Sequence, residues 1–291
     1  EPWIQWYSFY TGLSFKDHGV FRLGDSASHK LHSNLFTDLE NEGLQVGAIS
    51  PMNAINNLVN PAYFIPDPWT STNSDDSSFS NRIHSMLIQT VNDNTSGKIS
   101  IKSILTIFEV ILKSFKFKNY VFLIRAIQSS LKKKWFKALI FDYIIHILHI
   151  YLLKNKNPDI SFLFLNAGAH IQHHYYFNSH HYNGDLCNPG WYINNNFDPV
   201  EDMLLVYDKI LGDYINNKSI QTFIFTGLSQ IPYTQNKFYY RLKNHTQFLD
   251  KLGLIYSSVN CRMTRDFEIT FNNNDERDMC YNVLVSLKIK G

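Results

Sequence analysis

Two continuous apolar runs in the second half of the chain predict buried strands. They are ISFLFLN at 160–166 and IQTFIF at 220–225, and such runs are typical of strands that are covered on both faces of a sheet. Between them, Asp198, Pro199 and Glu201 fit the N-cap, the first position and the third position of a helix. A strand, a helix and a strand in this order predict a βαβ unit and therefore a parallel sheet.

The first half of the chain predicts one further strand among several helices. LQVGAI at 45–50 has the pattern of a strand, and a short helix at 33–43 precedes it and ends at Gly43. A long irregular stretch rich in Pro, Asn, Ser and Asp covers 51–82. The apolar periodicity then predicts helices over 81–93, 101–117 and 119–153.

The last fifty residues predict two helices around two strands. A helix near 240–252 is followed by a strand near 254–259. Residues 266–271 alternate between apolar and polar side chains, which is typical of a half-exposed antiparallel strand. A final helix starts near Asn273, and Glu276 is placed to complete its cap.

These elements together predict an α/β fold, with a mainly parallel sheet flanked by helices. We expect a single domain over 1–291, in which the helices of 85–155 form an insertion or cap. The chain starts at Glu1 without an initiator Met or a signal peptide. We interpret it as a piece of a longer protein whose opening strand lies upstream.

One apolar segment has the length of a membrane span. It covers 135–153, but Asp142, His146 and His149 are spaced i, i+4 and i+7 and fall on one helical face. A charged group in the middle of a span costs a few kcal/mol in lipid. The pattern therefore favours an amphipathic or buried helix over a membrane segment.

Composition and charge exclude several classes of protein. A hydrophobic fraction of 44% and a charged fraction of 18% exclude a disordered chain. The net charge of +2 gives no indication of nucleic-acid binding. Three scattered cysteines do not make a disulfide framework, so we expect a reducing, cytoplasmic location.

A block of basic residues within the predicted helices admits two interpretations. Residues 110–137 contain eight Lys and Arg side chains and no acidic one. Such a block is able to face an anionic glycan, a phosphate or a lipid surface. A solvated helix face has the same pattern, and we favour that interpretation from the sequence.

The chain concentrates histidine directly after the predicted strand at 160–166. Five of its twelve histidines fall in one short segment: His170, His173, His174, His180 and His181. Ligands of open α/β sheets bind at the carboxyl ends of strands, and imidazole is a common zinc ligand. We predict one divalent metal ion, zinc, bound by His170 with His173 or His174 and with Asp185. The alternative is a His-rich surface loop without a metal.

Two motifs carry a resemblance to a known family. Thr11-Gly12-Leu13 is followed four residues later by His18-Gly19-Val20, and NAGAH at 166–170 ends a predicted buried strand. The spacing resembles that of the alkaline phosphatase superfamily, which includes sulfatases and nucleotide pyrophosphatase/phosphodiesterases. The resemblance implies an alkaline-phosphatase-like core and a ligand role for His170, and it covers roughly 1–50 and 160–230.

The chain also departs from the family pattern at its catalytic positions. The expected nucleophile falls at Pro2 or Glu1, Asn166 replaces a metal-binding Asp, and an Asp-His-Gly turn is replaced within Thr226–Gln230. Two-metal phosphoryl chemistry needs an anionic ligand set and a nucleophile. The resemblance therefore implies an altered, single-metal site, and no catalytic residue is assigned.

Three functional hypotheses remain open from the sequence. The first is a hydrolase or transferase that acts on a phosphate or sulfate ester, such as one on a surface glycan. The second is a catalytically degenerate member that binds an anionic glycan or a partner protein, and the third is a structural domain. The expected partner is an anionic small molecule or glycan, and neither nucleic acid nor a membrane is expected. The residues assigned to substrate binding are Asn166, His18, His180, His181, Ser229 and Gln230.

Overall fold

The computed structural model describes residues 2–28, 32–92, 99–226, 231–238, 242–261 and 267–288. The chain divides into two compact units, although the sequence predicts a single domain over 1–291. The first unit combines Glu1–Gln89 with Ser100–Asn236, and the second combines Thr90–Ile99 with Lys237–Gly291.

A three-stranded parallel sheet forms the centre of the first unit. Its strands are β1 (Val46–Ile49), β2 (Tyr63–Ile65) and β3 (Ile160–Leu163), and their order in the sheet is β2-β1-β3. Ala48 in β1 pairs with Phe64 on one side and with Phe162 on the other. The protein is thus a mixed α/β protein with a small parallel sheet.

Helices cover both faces of this sheet. The helices up to residue 236 are α1 (Pro2–Thr11), α2 (Phe15–His18), α3 (Leu35–Asn41), α4 (Ser78–Asn92), α5 (Ile101–Ser114), α6 (Phe117–Ser130), α7 (Phe136–Lys156), α8 (Ala167–Tyr175) and α9 (Pro199–Ile215). On one face of the sheet, α7 packs against β1 and β3 and is itself covered by other helices, while α1 and α3 lie on the opposite face.

The prediction of a strand at 220–225 is wrong. These residues form no strand, and Phe223, Ile224 and Phe225 are exposed. The neighbour of β3 is β1, which lies far upstream in the sequence. The apolar run at 220–225 has another role, because the ring of Phe225 lies 5.3 Å from that of Phe9 in α1.

Two further expectations need correction. The stretch predicted to be irregular contains β2, whose three residues are all buried. The helix predicted over 119–153 is two helices, α6 and α7, and the basic segment 131–134 lies between them.

The predicted cap of α9 is confirmed, because the Asp198 carboxylate accepts hydrogen bonds from the N–H groups of Val200 and Glu201.

A tyrosine that lies across the sheet fixes the packing of its three strands. Tyr63, Gly47 and Ser161 are partners in neighbouring strands. A Cβ at Gly47 would lie 2.5 Å from Cζ of Tyr63, so only glycine leaves room for the ring. The ring crosses β1, and the Tyr63 hydroxyl forms a hydrogen bond with the Ser161 hydroxyl on β3.

From Ser161 a chain of buried hydrogen bonds continues into α7 and α9. The Ser161 hydroxyl lies 2.7 Å from Nε2 of His149, and Nδ1 of His149 lies 2.7 Å from the Tyr214 hydroxyl. The Tyr214 hydroxyl also lies 3.0 Å from Nδ1 of His146, and Nε2 of His146 lies 3.2 Å from the Asp213 carboxylate. This carboxylate only accepts, so with both rings neutral every link has one donor and one acceptor.

The polar stripe predicted on α7 is therefore buried inside the protein. α7 is the one helix, within the described ranges, that is long and apolar enough to cross a membrane by length and composition. Of its most apolar 18-residue window, 56% is buried. Asp142, His146 and His149 are all buried and hydrogen-bonded to other elements, as in the core helix of a folded domain.

We expect the histidine chain to make stability depend on pH. Burial and the nearby His146 lower the pKa of His149 from 6.5 to about 3. As the pH falls, the unfolded chain takes up this proton before the folded protein does, so stability is lost below about pH 6.5. Between pH 7.5 and pH 5, the advantage of the wild type over His149→Gln should shrink by about 2 kcal/mol. Urea unfolding at both pH values measures this, and an unchanged difference would contradict it.

The second unit contains the predicted antiparallel pair and two helices. Its elements are α10 (His245–Lys251), β4 (Ser258–Cys261), β5 (Phe267–Thr270) and α11 (Asn274–Ser286). β4 and β5 pair antiparallel, as the alternation predicts. Leu249, Leu254 and Cys280 form the centre of its core.

Candidate metal centre

The histidine-rich segment begins at the carboxyl end of β3, as the sequence predicts. Its first part is α8, which starts at Ala167 directly after the loop that leaves the strand. Asp142 of α7 holds this helix start, because its carboxylate accepts hydrogen bonds from the N–H groups of Ala167 at 2.8 Å and of Asn166 at 3.4 Å. An acidic group is favourable at a helix N-terminus.

Tyr207 of α9 completes this anchor. Its hydroxyl donates to Asp142 and accepts from the N–H of Gly168, both at 2.8 Å. Burial raises the pKa of Asp142 to about 6, although its three hydrogen-bond donors oppose the shift. A Cβ at Gly168 would lie 3.0 Å from the Tyr207 ring, which explains the glycine in this close contact. The start of α8 is thus fixed by both α7 and α9.

The first half of the segment brings two of the predicted metal ligands together. The rings of His170 and His174 lie 4.6 Å apart, centroid to centroid, and Nδ1 of His174 is 2.7 Å from the Tyr192 hydroxyl. Burial and the neighbouring His174 and His173 lower the pKa of His170 to about 4, so this ring is neutral at pH 7. His173 and Asp185 are both exposed.

A different set of side chains meets the geometric requirement of a metal site. Within the described ranges, the one group of three or more His, Cys, Asp or Glu ligand atoms that all lie within 4.8 Å of one another is His180, His181 and Glu201. His170, His173, His174 and Asp185 do not form such a group. The sequence assigns His180 and His181 to the substrate and Glu201 to a helix cap, so this combination was missed.

The separations in this group are close to those of a metal-bound set. Nε2 of His180 lies 3.8 Å and Nε2 of His181 lies 3.6 Å from Oε2 of Glu201. Ligand atoms around a tetrahedral zinc ion are about 3.3 Å apart, given bonds of about 2.0–2.1 Å. Small side-chain rotations would bring the three atoms to that separation. Two imidazoles and one carboxylate also match the ligand preference of zinc.

Asp198 orients His180 toward this centre. The Asp198 carboxylate lies 2.6 Å from Nδ1 of His180, which leaves Nε2 of the same ring directed at Glu201. A carboxylate behind a ligating histidine fixes the tautomer and orientation of the ring. Burial would raise the pKa of Asp198, but the N–H groups of Glu201 and His180, the His180 ring and the Ser179 hydroxyl together lower it. Asp198 is therefore ionised at neutral pH.

A cavity of about 330 Å³ opens beside His180. This volume lies at the lower end of the range of small-molecule sites. None of the described residues that line it is acidic, although the carboxylates of Asp198 and Glu201 lie against His180, one of the lining residues. The lining side chains include Asn178, Ser179, His180, Tyr182 and Asn195.

The other predicted substrate residues lie in different surroundings. His18 is buried, with Nδ1 accepting from the Val20 N–H at 3.0 Å and Nε2 lying 2.9 Å from the Ser8 hydroxyl. The two ring nitrogens thus connect the turn after α2 with α1. Asn166 occupies the N-cap position of α8, and its carbonyl accepts from the His170 N–H. Ser229 and Gln230 lie outside the described residues.

The motif at the start of the chain also leads us to expect Trp3, Trp6, Phe9 and His18 near the cleft of the His170 loop, and of these residues Trp6 lies beside the segment that leaves β3. The Trp6 ring is 5.4 Å from that of Phe164, which follows β3. Phe9 contacts Phe225, close to the start of the predicted Thr226–Gln230 loop. Of that loop, Thr226 is described and 227–230 are not. From the sequence we also expect this loop to face the His170 segment across one cleft, and this expectation stays a prediction.

No family model, curated protein or solved structure matches this chain.

Proposed function

We propose that this protein is a zinc-dependent hydrolase that acts on a phosphate or sulfate ester. The observation that carries the proposal is the group His180, His181 and Glu201, in which Asp198 directs the free nitrogen of His180 at the other ligands. Zinc sites with three protein ligands keep a fourth position for water or substrate, and that is the arrangement of catalytic zinc.

The surroundings of the group agree with a site for an anionic ester. His180 and His181 are exposed, so a substrate reaches the ligand positions from solvent. The side-chain amides of Asn178 and Asn195 line the adjoining cavity and provide N–H donors for ester oxygens, while the Ser179 hydroxyl is used by Asp198. Zinc in such a site acts as a Lewis acid toward a phosphoryl or sulfuryl oxygen and makes hydroxide available near neutral pH. The acceptor of the transferred group is then water, in keeping with the missing nucleophile at Pro2.

We also propose a distant relationship to the alkaline phosphatase superfamily. It is supported by the parallel sheet, by the NAGAH segment at the carboxyl end of β3, and by α1 lying beside the same strand end. In this proposal His170 keeps the family position without a charged partner at Asn166. The metal has moved along the segment to His180 and His181.

Zinc content of the purified protein tests the metal proposal. We expect about one zinc ion per chain after equilibration with zinc and removal of the excess. His181→Ala and Glu201→Gln should each weaken zinc binding by about a hundredfold or more, because even loss of the carboxylate behind a ligating histidine costs about 10–100-fold. His173→Ala is a matched control in the same segment and should bind zinc as the wild type does.

Activity measurements separate a hydrolase from a protein that only binds anions. The substrates are p-nitrophenyl phosphate, bis-p-nitrophenyl phosphate and p-nitrophenyl sulfate. Hydrolysis of one of them should be lost on chelation, be restored by zinc, and be lost in Glu201→Gln. Zinc binding without hydrolysis of any ester would contradict the enzyme proposal and favour a degenerate, binding-only protein. Loss of zinc in His170→Ala but not in His181→Ala would contradict the assignment of zinc to His180, His181 and Glu201.

A further inference from the structure

The outer faces of α5 and α6 expose an unusual amount of apolar side chain. On α5 the exposed residues are spaced i, i+3, i+4, i+7 and i+11, and α6 repeats a similar stripe, so each helix presents one apolar face to solvent. Leu112 is 75% exposed and Phe117 is 85% exposed. The outer apolar face consists of Ile101, Ile104, Leu105, Phe108 and Leu112 on α5, of Phe117, Val121, Ile124 and Ile127 on α6, and of Leu131 directly after α6.

This face is not the face by which the two helices join the core. α5 and α6 pack against α7 through other residues, among them Val110 and Leu123, which are buried in the main hydrophobic cluster. A two-residue turn at Phe115 and Lys116 joins the helices, and Leu112 and Phe117, both strongly exposed, lie on either side of it, so the two apolar faces meet at this turn. Apolar patches of this kind mark interaction sites in soluble proteins.

The charge around the face is strongly positive. Residues 101–141 contain nine Lys and Arg side chains and one acidic residue, Glu109. Glu109 is held by Arg82 and Lys113 in ion pairs of 2.8 and 2.7 Å. Outside this segment 18 basic and 24 acidic residues remain, so the rest of the chain is acidic overall. Two of these cations, Lys118 and Lys133, pair with Asp213 and Asp202 of α9. The segment that carries the exposed apolar side chains still has an excess of positive charge.

We propose that the outer apolar face of α5 and α6 binds the surface of a membrane that contains anionic lipid. Amphipathic helices with apolar residues on one face and Lys or Arg around it lie in the interface of a bilayer, with the apolar side chains among the acyl chains. The basic side chains gain from the negative potential of the lipid head groups. An acidic protein would satisfy the charges but not ten exposed apolar side chains in two helical stripes.

The proposal differs from the sequence-based preference for a solvated helix face. That preference rested on the basic block at 110–137, whose sequence does not show which helix face is buried. In the structure, Ser103, Thr106 and Asn119 face inward while Leu105, Phe108 and Leu112 face outward. Binding is peripheral, because the helix with the length of a span, α7, lies mostly inside the protein.

Flotation with lipid vesicles tests the proposal on the full chain. We expect the wild type to bind vesicles of equimolar phosphatidylcholine and phosphatidylglycerol, and to bind pure phosphatidylcholine about tenfold less well or worse. Phe108→Ser with Leu112→Ser, and separately Lys116→Glu with Lys132→Glu, should each reduce binding to the anionic vesicles by about tenfold or more. These side chains are exposed, so the variants should keep the circular dichroism of the wild type.

Matched controls lie elsewhere on the first unit. Leu205→Ser removes an exposed apolar residue of α9, and Lys218→Glu reverses an exposed charge beyond that helix; both should bind as the wild type does. Equal binding to neutral and anionic vesicles, or no binding at all, would overturn the proposal. So would a wild type that sediments as a dimer and becomes monomeric in Phe108→Ser with Leu112→Ser, because a second copy would then cover the face. Binding that resists both high salt and alkaline carbonate would contradict peripheral attachment.

Discussion

Replacing Tyr214 by Phe should lower the free energy of unfolding by about 2–4 kcal/mol. The variant removes one buried hydroxyl that lies within hydrogen-bonding distance of Nδ1 of both His146 and His149. Each buried polar group that loses its partner costs about 1–3 kcal/mol, and the ring volume is unchanged. Urea unfolding followed by circular dichroism measures the difference.

Tyr151→Phe provides the matched control on the same helix as the two histidines. Tyr151 is partly buried against the core, and the described residues offer its hydroxyl no hydrogen-bond partner. This variant should therefore unfold within about 0.5 kcal/mol of the wild type. Equal losses in the two variants would show that the chain from Asp213 to Tyr63 does not hold α7, α9 and the sheet together.

Replacing Asp142 by Ala should cost about 3–4 kcal/mol of stability and loosen the start of α8. Three donors lose their acceptor in this variant, namely the N–H groups of Asn166 and Ala167 and the Tyr207 hydroxyl. Buried donors without a partner carry the full cost of their desolvation. The amide protons of residues 167–170 should exchange faster with solvent than in the wild type, as hydrogen exchange will report.

Two comparisons make this second prediction specific. Asp142→Asn keeps one acceptor oxygen and should lose less stability than Asp142→Ala. Asp208→Ala changes an exposed carboxylate on α9 beside Tyr207 and should leave both stability and exchange at wild-type values. Unchanged exchange at 167–170 in Asp142→Ala would mean that another contact fixes the histidine-rich segment.

The sequence predicts local structure well where one short segment determines it. The cap of α9 at Asp198, the alternation in β5 and the end of α3 near Gly43 depend on residues within a few positions of one another. Each of them is present in the structure. The mixed α/β class is also predicted, although the βαβ unit from which the parallel sheet was inferred is absent, because 220–225 is not a strand and β3 pairs with β1 instead.

The sequence does not predict which strands pair. The run at 220–225 is rich in apolar residues, yet it forms no strand: Ile220 packs against the main core, Phe225 contacts Phe9 of α1, and Phe223 and Ile224 are exposed. β2 has only three residues, too few for a recognisable pattern, and it lies among prolines and polar residues. The strand predicted at 220–225 and the missed β2 have one cause. Strand pairing depends on contacts between distant segments, and the hydrophobicity of a short segment carries no information about them.

The candidate site was predicted in its segment but not in its members. The candidate group lies partly in the histidine-rich segment, whereas the sequence singles out His170 with His173 or His174 and Asp185 as ligands. Glu201 appeared only as a cap residue, and its distance of 3.6 Å from His181 depends on the path of the chain between residues 182 and 198. No spacing rule connects two adjacent histidines with a glutamate twenty residues later.

Anomalous diffraction is the most direct test of the proposed metal centre. Crystals equilibrated with zinc would be measured above the zinc absorption edge. We expect one anomalous peak per chain, within coordination distance of Nε2 of His180, Nε2 of His181 and the Glu201 carboxylate. A peak beside His170 and His174, or a chain that binds no zinc at these positions, would contradict it.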